Sequence, residues 1–271
     1  MSDLREPLDT ARRAVRLGAE LLSTTAPGRV EAKGDRDFVT DLDVQIQERI
    51  QRFLAARTPE IGFLGEEGET GPAAPSSKRW VLDPIDGTSN FIHGLPLCAV
   101  SLAMIEGDRP LVGVINAPML DLEYWATRGG GARRNGEAIR AGTAHGLGSA
   151  IVSIGDYAVG EGAVERNRRR LAITAALAAK VERVRMFGSA ALDLAWVAEG
   201  RTDGCVMLSN KPWDTAAGVL IARESGAIVT DSDGSAHTIA SRHTVAAAPG
   251  VSAHLLRLLD APDPDLPIVT P

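Results

Sequence analysis

The first 60 residues contain two stretches in which apolar residues recur with the period of a helix. The first stripe consists of Leu4, Leu8, Ala11, Val15, Ala19 and Leu22. The second consists of Leu42, Ile46, Ile50, Phe53 and Leu54. Such spacing places each set on one helix face, so we predict a helix that ends before Pro27-Gly28 and another from Thr40 to about Ala56. Thr40 is a suitable N-cap, and Pro59 closes the second helix.

Short apolar runs bounded by turn residues follow, and they predict strands. In the first half these runs are Ile61–Leu64, Trp80–Leu82, Ala99–Ile105, Leu111–Asn116 and Glu123–Thr127. Asn135-Gly136 favours a tight hairpin turn. In the second half we predict strands at Ile151–Ile154, Val181–Met186, Asp203–Leu208, Ala227–Thr230 and Val245–Ala247. Helices are predicted there at Glu161–Lys180, Ala190–Glu199, Thr215–Ser225 and Val251–Leu259.

The two halves of the chain differ in the order of their predicted strands and helices. The first is rich in antiparallel strands and reads as α+β, whereas the second alternates strands and helices and reads as α/β. The Gly-, Ala- and Ser-rich stretch at 142–150 is the most linker-like segment between them. We therefore expect residues 1–145 and 146–271 to form two parts, packed tightly as one unit.

Composition narrows the classes of function. The chain has 29 Lys and Arg against 35 Asp and Glu, a net charge of −6, and its aromatic residues are only four Trp, two Tyr and five Phe. These figures argue against nucleic-acid binding through a basic face with base-stacking platforms, and the basic run Arg166–Arg170 is interpreted as a solvated helix face.

We read Cys98 and Cys205 as buried small hydrophobes. No apolar run reaches the length of a membrane span, and the start of the chain lacks the apolar core of a secretory signal, so we expect a cytoplasmic protein that does not bind membranes.

The segment Trp80–Asn90, with the sequence WVLDPIDGTSN, differs from the rest of the chain. It places Asp83 at the end of a predicted strand and Asp86 three residues later, where the two carboxylates repel each other unless a cation lies between them. A bare motif of this kind is also compatible with a solvated turn that caps a helix. Glu66 follows another predicted strand, and Asp214 precedes a predicted helix as its N-cap. Together these four carboxylates could hold two or three divalent cations, with Mg²⁺ or Mn²⁺ favoured over zinc because the ligands are hard oxygens.

A phosphate fits beside this cluster. The backbone amides of Gly87 and Thr88 lie where a short helix begins, and the partial positive charge there suits an oxyanion. No Ser-His-Asp set is apparent. The histidines are scattered along the chain, at His93, His145, His237, His243 and His254. The residues therefore indicate metal-assisted hydrolysis of a phosphate ester.

The run WVLDPIDGTSNFIHGLP, preceded by GEE and followed downstream by WDTAAGVLIARESG, resembles the inositol monophosphatase family of Mg²⁺-dependent, lithium-sensitive phosphatases. The segments DFVTDLD (Asp37–Asp43) and GGGARRNGEAI (Gly129–Ile139) extend the resemblance over nearly the whole chain. It implies the layered α/β/α/β/α sandwich that this family shares with fructose-1,6-bisphosphatase. It also implies a small phosphate-ester substrate, inhibition by Li⁺ and a homodimer.

Carried over position by position, the resemblance implies a role for each site residue. Glu66, Asp83 and the backbone carbonyl of Ile85 would hold a first metal ion. Asp83, Asp86 and Asp214 would hold a second, and Glu66 would help to bind a third. Thr88, with Glu66 and Asp43, would orient the attacking water, while Gly87 and Thr88 bind the phosphate. Asp86, Ala190 and Asp214 would also contact the substrate, and Lys33 matches a lysine near the metal site.

Substrate choice is less strongly indicated. Family members that act on inositol phosphates carry a glutamate seven residues before the aspartate that matches Asp214, and here that position is Met207. Inositol-1-phosphate is still the favoured substrate. The alternatives are a histidinol-phosphate phosphatase, a 3′-phosphoadenosine 5′-phosphate phosphatase, a fructose-1,6-bisphosphatase and, more remotely, a non-catalytic binder of a phosphorylated ligand.

Overall fold

The computed structural model describes residues 4–35, 37–68 and 76–260. Its helices are α1 (Arg5–Thr24), α2 (Asp41–Arg57), α3 (Thr88–Ile92), α4 (Ala163–Lys180), α5 (Ala190–Glu199), α6 (Pro212–Glu224) and α7 (Pro249–Asp260). Single 3₁₀ turns lie at Pro118–Leu120 and Leu147–Ser149.

The strands are short, and most of them coincide with the predicted apolar runs. They are β1 (Val30–Gly34), β2 (Asp37–Thr40), β3 (Gly62–Gly65), β4 (Lys78–Asp86), β5 (Ala99–Glu106), β6 (Arg109–Ala117), β7 (Leu122–Thr127), β8 (Ala132–Arg134), β9 (Glu137–Ala138), β10 (Ile151–Ile154), β11 (Arg183–Arg185), β12 (Gly204–Met207), β13 (Ile228–Thr230) and β14 (Thr244–Ala247).

These strands form two large sheets and one hairpin. The first sheet has seven strands in the order β3-β4-β5-β6-β7-β8-β9, antiparallel except for the parallel pair β3 and β4. The second has five strands in the order β11-β10-β12-β14-β13, in which β10 is parallel to both of its neighbours. Strands β1 and β2 pair with each other. The two large sheets use separate stretches of the chain, and the predicted division at residue 145 stays a prediction.

Five layers result from the packing of helices on these sheets. Helices α1 and α2 cover one face of the seven-stranded sheet, in a core that includes Val15, Ile46 and Leu102. Helices α5 and α6 lie between the two sheets, and their core includes Leu194 and Ala217. Helices α4 and α7 cover the outer face of the five-stranded sheet. This order confirms the predicted α/β/α/β/α sandwich.

The start of α2 follows directly from its sequence. Thr40 is the N-cap, as predicted, and its hydroxyl accepts a hydrogen bond from the Asp43 amide at 3.4 Å. The Asp43 carboxylate in turn accepts from the Thr40 amide at 2.8 Å. This reciprocal capping box satisfies two amides that a helix start leaves without partners, and it fixes the Asp43 side chain as it does so.

Two predictions about element ends are wrong. Helix α6 begins at Pro212 with Lys211 as its N-cap, so Asp214 is the third residue of the helix and not its cap. Proline is favoured in the first helical turn because its missing N–H would have no partner there. Strand β4 does not end at Asp83. It continues to Asp86 through a break in register, where Asp83 pairs with Ser101 and Asp86 with Ala99.

The remaining predictions are mixed in outcome. Both cysteines are buried, as predicted. The basic run lies on α4, and its Arg170 is only 9% exposed, so the interpretation as a solvated face does not hold for that residue. Within the described ranges, no helix has the length and apolar character needed to cross a membrane.

Candidate active site

The end of β4 is shaped by a proline and a glycine. Because Pro84 has no N–H for a sheet ladder, it fits the break in register between Asp83 and Asp86. Gly87 then adopts φ +89°, and a Cβ at this position would lie 2.7 Å from the Leu97 carbonyl oxygen. Only glycine combines that conformation with so close an approach. The turn therefore places Asp83 and Asp86 on the strand and Thr88 at the start of α3.

Asp83 is a buried acidic residue at the end of the regular part of β4. Its Oδ1 atom has no hydrogen-bond partner among the residues that the structure describes. Burial raises the pKa of Asp83 well above its ordinary value, and the charges of Glu66, Asp86 and Asp214 raise it further. Carboxylates from β4, the end of β3 and α6 are therefore close enough to repel one another around Asp83.

Asp86 is buried but well supplied with hydrogen-bond donors. Its Oδ1 accepts from the Ala190 amide and its Oδ2 from the Ala191 amide, each at 3.1 Å. The Ser189 hydroxyl also bonds Oδ2. Burial raises the pKa of Asp86 to about 7, although these three donors favour the charged form. All of them come from the start of α5, so the site joins the first sheet to the layer between the sheets.

Asp214 is held from the opposite side. Its Oδ2 accepts from the Lys211 amide at 2.6 Å, across the first turn of α6. Burial raises its pKa to about 7, and Asp86 and Glu66 add to the shift. The third position of α6 thus directs this carboxylate back towards β4.

Glu66 lies just beyond β3 and is paired with a lysine from the hairpin. The Lys33 Nζ atom lies 2.9 Å from Glu66 Oε1 and 2.5 Å from Glu67 Oε1. Burial alone would lower the pKa of Lys33, but the two carboxylates raise it above its ordinary value. The Glu67 amide donates to Gln47 Oε1 at 3.0 Å, which ties this turn to α2.

Thr88 and Asp43 meet at the same end of the sheet. The Thr88 hydroxyl lies 2.9 Å from the Ile85 carbonyl oxygen and 3.3 Å from Asp43 Oδ1. The second oxygen of Asp43 is held by the Thr40 amide and hydroxyl. Burial raises the pKa of Asp43, which suits it to take part in a hydrogen-bond chain with Thr88.

The donor set fits a hard divalent cation. It consists of carboxylates and a backbone carbonyl, and its charges repel one another. It also includes one buried carboxylate oxygen that has no partner among the described residues. In the part of the chain that the structure describes, no three His, Cys, Asp or Glu side chains form a ready-made metal-binding group. In this structure Lys33 binds Glu66, and the backbone amide of Lys211 binds Asp214.

Of the residues expected to contact substrate, some lie beside Asp86, and Met207 lies on another strand. Gly87 and Ala190 lie beside Asp86, and the Ala190 amide bonds it directly. Met207 ends β12 and is 3% exposed, with its side chain near Gly155. The sequence pattern did not indicate Ser189, Glu67 or Asn90. Ser189 could have been found as a residue suited to N-cap the predicted helix at Ala190–Glu199, but its contact with Asp86 spans 103 positions.

Comparison with known proteins agrees with this geometry. The family model described as "Inositol monophosphatase family" matches residues 3–261. An inositol-1-monophosphatase from Rhizobium meliloti is 35% identical over 236 residues, which cover 87% of this chain and 88% of that protein. A fructose-1,6-bisphosphatase/inositol-1-monophosphatase from Aquifex aeolicus is 35% identical over 239 residues, covering 85% of this chain and 87% of the other.

A solved structure gives the same result. The extragenic suppressor protein suhB from Bartonella henselae superposes with a TM-score of 0.87 at 33% identity, over 93% of this chain and 97% of that one. The match to the family model, the identities to named phosphatases and the shared fold establish that this chain belongs to the inositol monophosphatase family and is a phosphomonoesterase.

Proposed function

We propose that the protein hydrolyses the phosphate monoester of a small sugar or polyol, with inositol-1-phosphate as the favoured substrate, in a reaction that depends on Mg²⁺. The observation that carries this proposal is the convergence of Glu66, Asp83, Asp86 and Asp214. Burial and the negative charges of this set together raise the pKa values of Asp83, Asp86 and Asp214. Such a cluster is costly in a fold unless it serves to bind cations.

Each acidic residue has a place in the proposed ion sites. Glu66, Asp83 and the Ile85 carbonyl would hold one Mg²⁺ ion, and Asp83, Asp86 and Asp214 would hold another. Glu66 would contribute to a weaker third ion, and Mn²⁺ would suit the same ligands. When bound, these ions supply Lewis acidity towards the phosphate and lower the pKa of a bound water.

The protein's own groups orient the substrate and the attacking water. The amides of Gly87 and Thr88 donate to the phosphate oxygens at the start of α3. The Thr88 hydroxyl lies in contact with Asp43 Oδ1 and the Ile85 carbonyl. As the water attacks, Thr88 Oγ takes one proton from it and gives its own proton to Asp43 Oδ1, so that Thr88 stays neutral. The positive charge of Lys33 offsets part of the negative charge of Glu66 and Glu67, with which it pairs.

Substitution of Asp86 tests the proposed site. In Asp86→Asn the isosteric amide cannot supply the same charge, so we expect a loss of at least 100-fold in phosphate release at fixed Mg²⁺. Asp108→Asn, at an exposed turn, serves as the matched control and should retain full activity. Unchanged turnover in Asp86→Asn would contradict the assignment of Asp86 as a ligand of the second ion. A parent protein that releases no phosphate from any ester would favour the non-catalytic binder.

The identity of the ester is tested separately. Met207 cannot accept hydrogen bonds from sugar hydroxyls as a carboxylate does, which weakens the case for inositol. The relative from Aquifex aeolicus carries fructose-1,6-bisphosphatase in its name, which favours that activity as the second candidate. Rates of phosphate release from inositol-1-phosphate, fructose-1,6-bisphosphate, histidinol phosphate and 3′-phosphoadenosine 5′-phosphate would rank the candidates by kcat/KM.

Two further properties belong to the same proposal. Li⁺ should inhibit the reaction by competing for a Mg²⁺ site, which a Li⁺ titration at fixed substrate would measure. The homodimer implied by the resemblance should be visible as twice the chain mass in light scattering after size-exclusion chromatography.

A further inference from the structure

Ser189 is the residue through which α5 holds Asp86. It is the N-cap of α5, with extended backbone at φ −147° and ψ 108°. Its Oγ accepts a hydrogen bond from the Leu192 amide at 3.2 Å and also bonds Asp86 Oδ2. Because the Leu192 N–H uses a lone pair of Oγ, the hydroxyl hydrogen is free to point at Asp86. One hydroxyl thus caps a helix and donates to an acidic site residue.

The amides next to Ser189 complete the hold on Asp86. Ala190 donates to Oδ1 and Ala191 to Oδ2, so both oxygens are fixed and the plane of the carboxylate is set. The hydroxyl provides the only side-chain donor to this carboxylate among the described residues. The two amides belong to the backbone and persist in any variant, whereas the hydroxyl can be removed.

A second side chain keeps Ser189 in place. Asn90 on α3 donates through Nδ2 to the Leu97 carbonyl at 2.8 Å and to the Phe187 carbonyl at 2.7 Å. It therefore ties the turn after Asp86 to the residues just before Ser189. Ser189 itself is only 3% exposed, so water does not readily replace its hydroxyl. The position of this hydroxyl relative to Asp86 is fixed from both sides.

We propose that Ser189, at the start of α5, is a positioning residue. Its buried hydroxyl donates a hydrogen bond that orients Asp86 for binding a divalent cation. This inference rests on the proposed function, in which Asp86 is a metal ligand. Groups that orient a ligand side chain commonly change metal affinity by about 10–100-fold when they are removed. The cap and the bond to Asp86 are separable, because glycine is nearly as good an N-cap as serine but has no hydroxyl.

Three variants separate these roles. Ser189→Thr keeps the hydroxyl at a backbone conformation that a β-branched residue adopts readily. Ser189→Gly removes the hydroxyl and largely preserves the cap, and Ser189→Ala removes both. Mn²⁺ binding, followed by the loss of the free-ion signal in electron paramagnetic resonance without substrate, is the primary readout. The melting temperature in EDTA measures how much each substitution at the N-cap of α5 changes the stability of the fold.

We expect Ser189→Thr to bind Mn²⁺ within about twofold of the parent protein and Ser189→Gly to bind at least tenfold more weakly. In the phosphatase assay the Gly variant should need more Mg²⁺ for half-maximal rate and should recover much of its kcat when Mg²⁺ is saturating. A Gly variant that binds Mn²⁺ as the parent does would overturn the proposal, as would a folded Thr variant with weakened binding. If the Gly variant does not fold, the Ala and Thr pair decides by the same criterion.

Asp86→Asn distinguishes this failure from failure of the proposed function. If Asp86→Asn weakens the binding of one Mn²⁺ ion but Ser189→Gly does not, only the positioning role is wrong. If Asp86→Asn itself binds Mn²⁺ and turns over substrate like the parent, the assignment of Asp86 as a ligand is wrong, and the role of Ser189 is refuted with it.

Discussion

At the residue scale, the fold places Asp83 where its charged form is unfavourable. Asp83 is buried, its Oδ1 has no partner in the described part of the chain, and other carboxylates lie nearby, so its ionised form is disfavoured in the protein without metal. A group in this situation destabilises the fold whenever the pH is high enough to ionise it. Stability and ion binding therefore make opposite demands on the same side chain.

Asp83→Asn should reveal that conflict. In EDTA at pH 8 we expect the variant to melt higher than the parent by roughly 2–6 °C, which corresponds to about 1–2 kcal/mol in a chain of this size. The reason is the loss of a like charge beside Glu66, Asp86 and Asp214. Phosphatase activity should vanish in the same variant. Differential scanning calorimetry measures the first effect, and a lower melting temperature than the parent would contradict it.

Gly87 offers a test of close packing at the turn. Gly87→Ala forces a methyl group against the Leu97 carbonyl oxygen at φ +89°, and we expect a loss of about 1–3 kcal/mol in unfolding free energy together with most of the activity. Gly94→Ala is the matched control, since Gly94 has φ +72° and no atom of the described residues lies within 4 Å of the added methyl. Equal losses in urea denaturation would mean that the conformation alone, and not the contact, requires glycine at residue 87.

At this scale the local chemistry could be predicted and the distant contacts could not. The N-cap at Thr40 depends on residues close to it in sequence. So does the turn at Asn135-Gly136, where both residues have positive φ. The place of Asp214 in α6 was misjudged because Pro212 was not taken as the start of the helix. Ser189 was missed because its partner, Asp86, lies in another part of the chain. The roles assigned to the acidic residues stay predictions.

Among the elements, helices α5 and α6 form the layer on which both sheets rest. Gly218 of α6 faces Leu194 of α5 so closely that a Cβ at Gly218 would lie 2.6 Å from the Leu194 Cβ. The absence of a side chain at Gly218 lets the two helices approach each other closely. Ser189 begins one of these helices and Asp214 lies in the first turn of the other.

Gly218→Ala should therefore destabilise the protein although alanine is the better helix former. We expect a loss of about 1–3 kcal/mol from overpacking, which outweighs the gain of about 1 kcal/mol in helix propensity. Combining it with Leu194→Ala should give a double variant that is more stable than the sum of the two single effects predicts. Strict additivity in urea denaturation would show that the two positions do not compete for space.

Elements with a buried face were predictable from the sequence, and an exposed one was not. Helix α5 matches the predicted residues Ala190–Glu199, and β10 matches Ile151–Ile154. The hairpin strand β1 is exposed at all five positions, so it needs no run of large apolar residues that would mark it as a strand. Its pairing with β2 depends on backbone hydrogen bonds and on the turn, which leave little trace in composition.

For the whole molecule, the buried acids link stability to pH and to metal. The pKa values of Asp86 and Asp214 are about 7 in the fold, whereas an unfolded chain ionises its aspartates at about 4. The native state therefore binds more protons than the unfolded state between these values. Unfolding free energy must then fall as the pH rises through this window, by at most about 1.4 kcal/mol per pH unit for each group.

We predict that the metal-free protein melts higher at pH 5 than at pH 8. Mg²⁺ should raise the melting temperature more at pH 8 than at pH 5, because protons compete with the cation for the same oxygens. Thermal melts in EDTA and in Mg²⁺ at both pH values provide the measurement. Identical melting temperatures at the two pH values in EDTA would show that these carboxyl groups are not held protonated by the fold.

The acidic residues of the proposed site are unequally divided along the chain. The chain through β9 carries Asp43, Glu66, Asp83 and Asp86, while the remainder contributes Asp214 and the donors at the start of α5. A fragment ending near residue 145 would therefore keep most of the negative charge but lose the groups that hold Asp86 still. Two separately produced halves that recover hydrolysis on mixing would report directly on the contact between the layers.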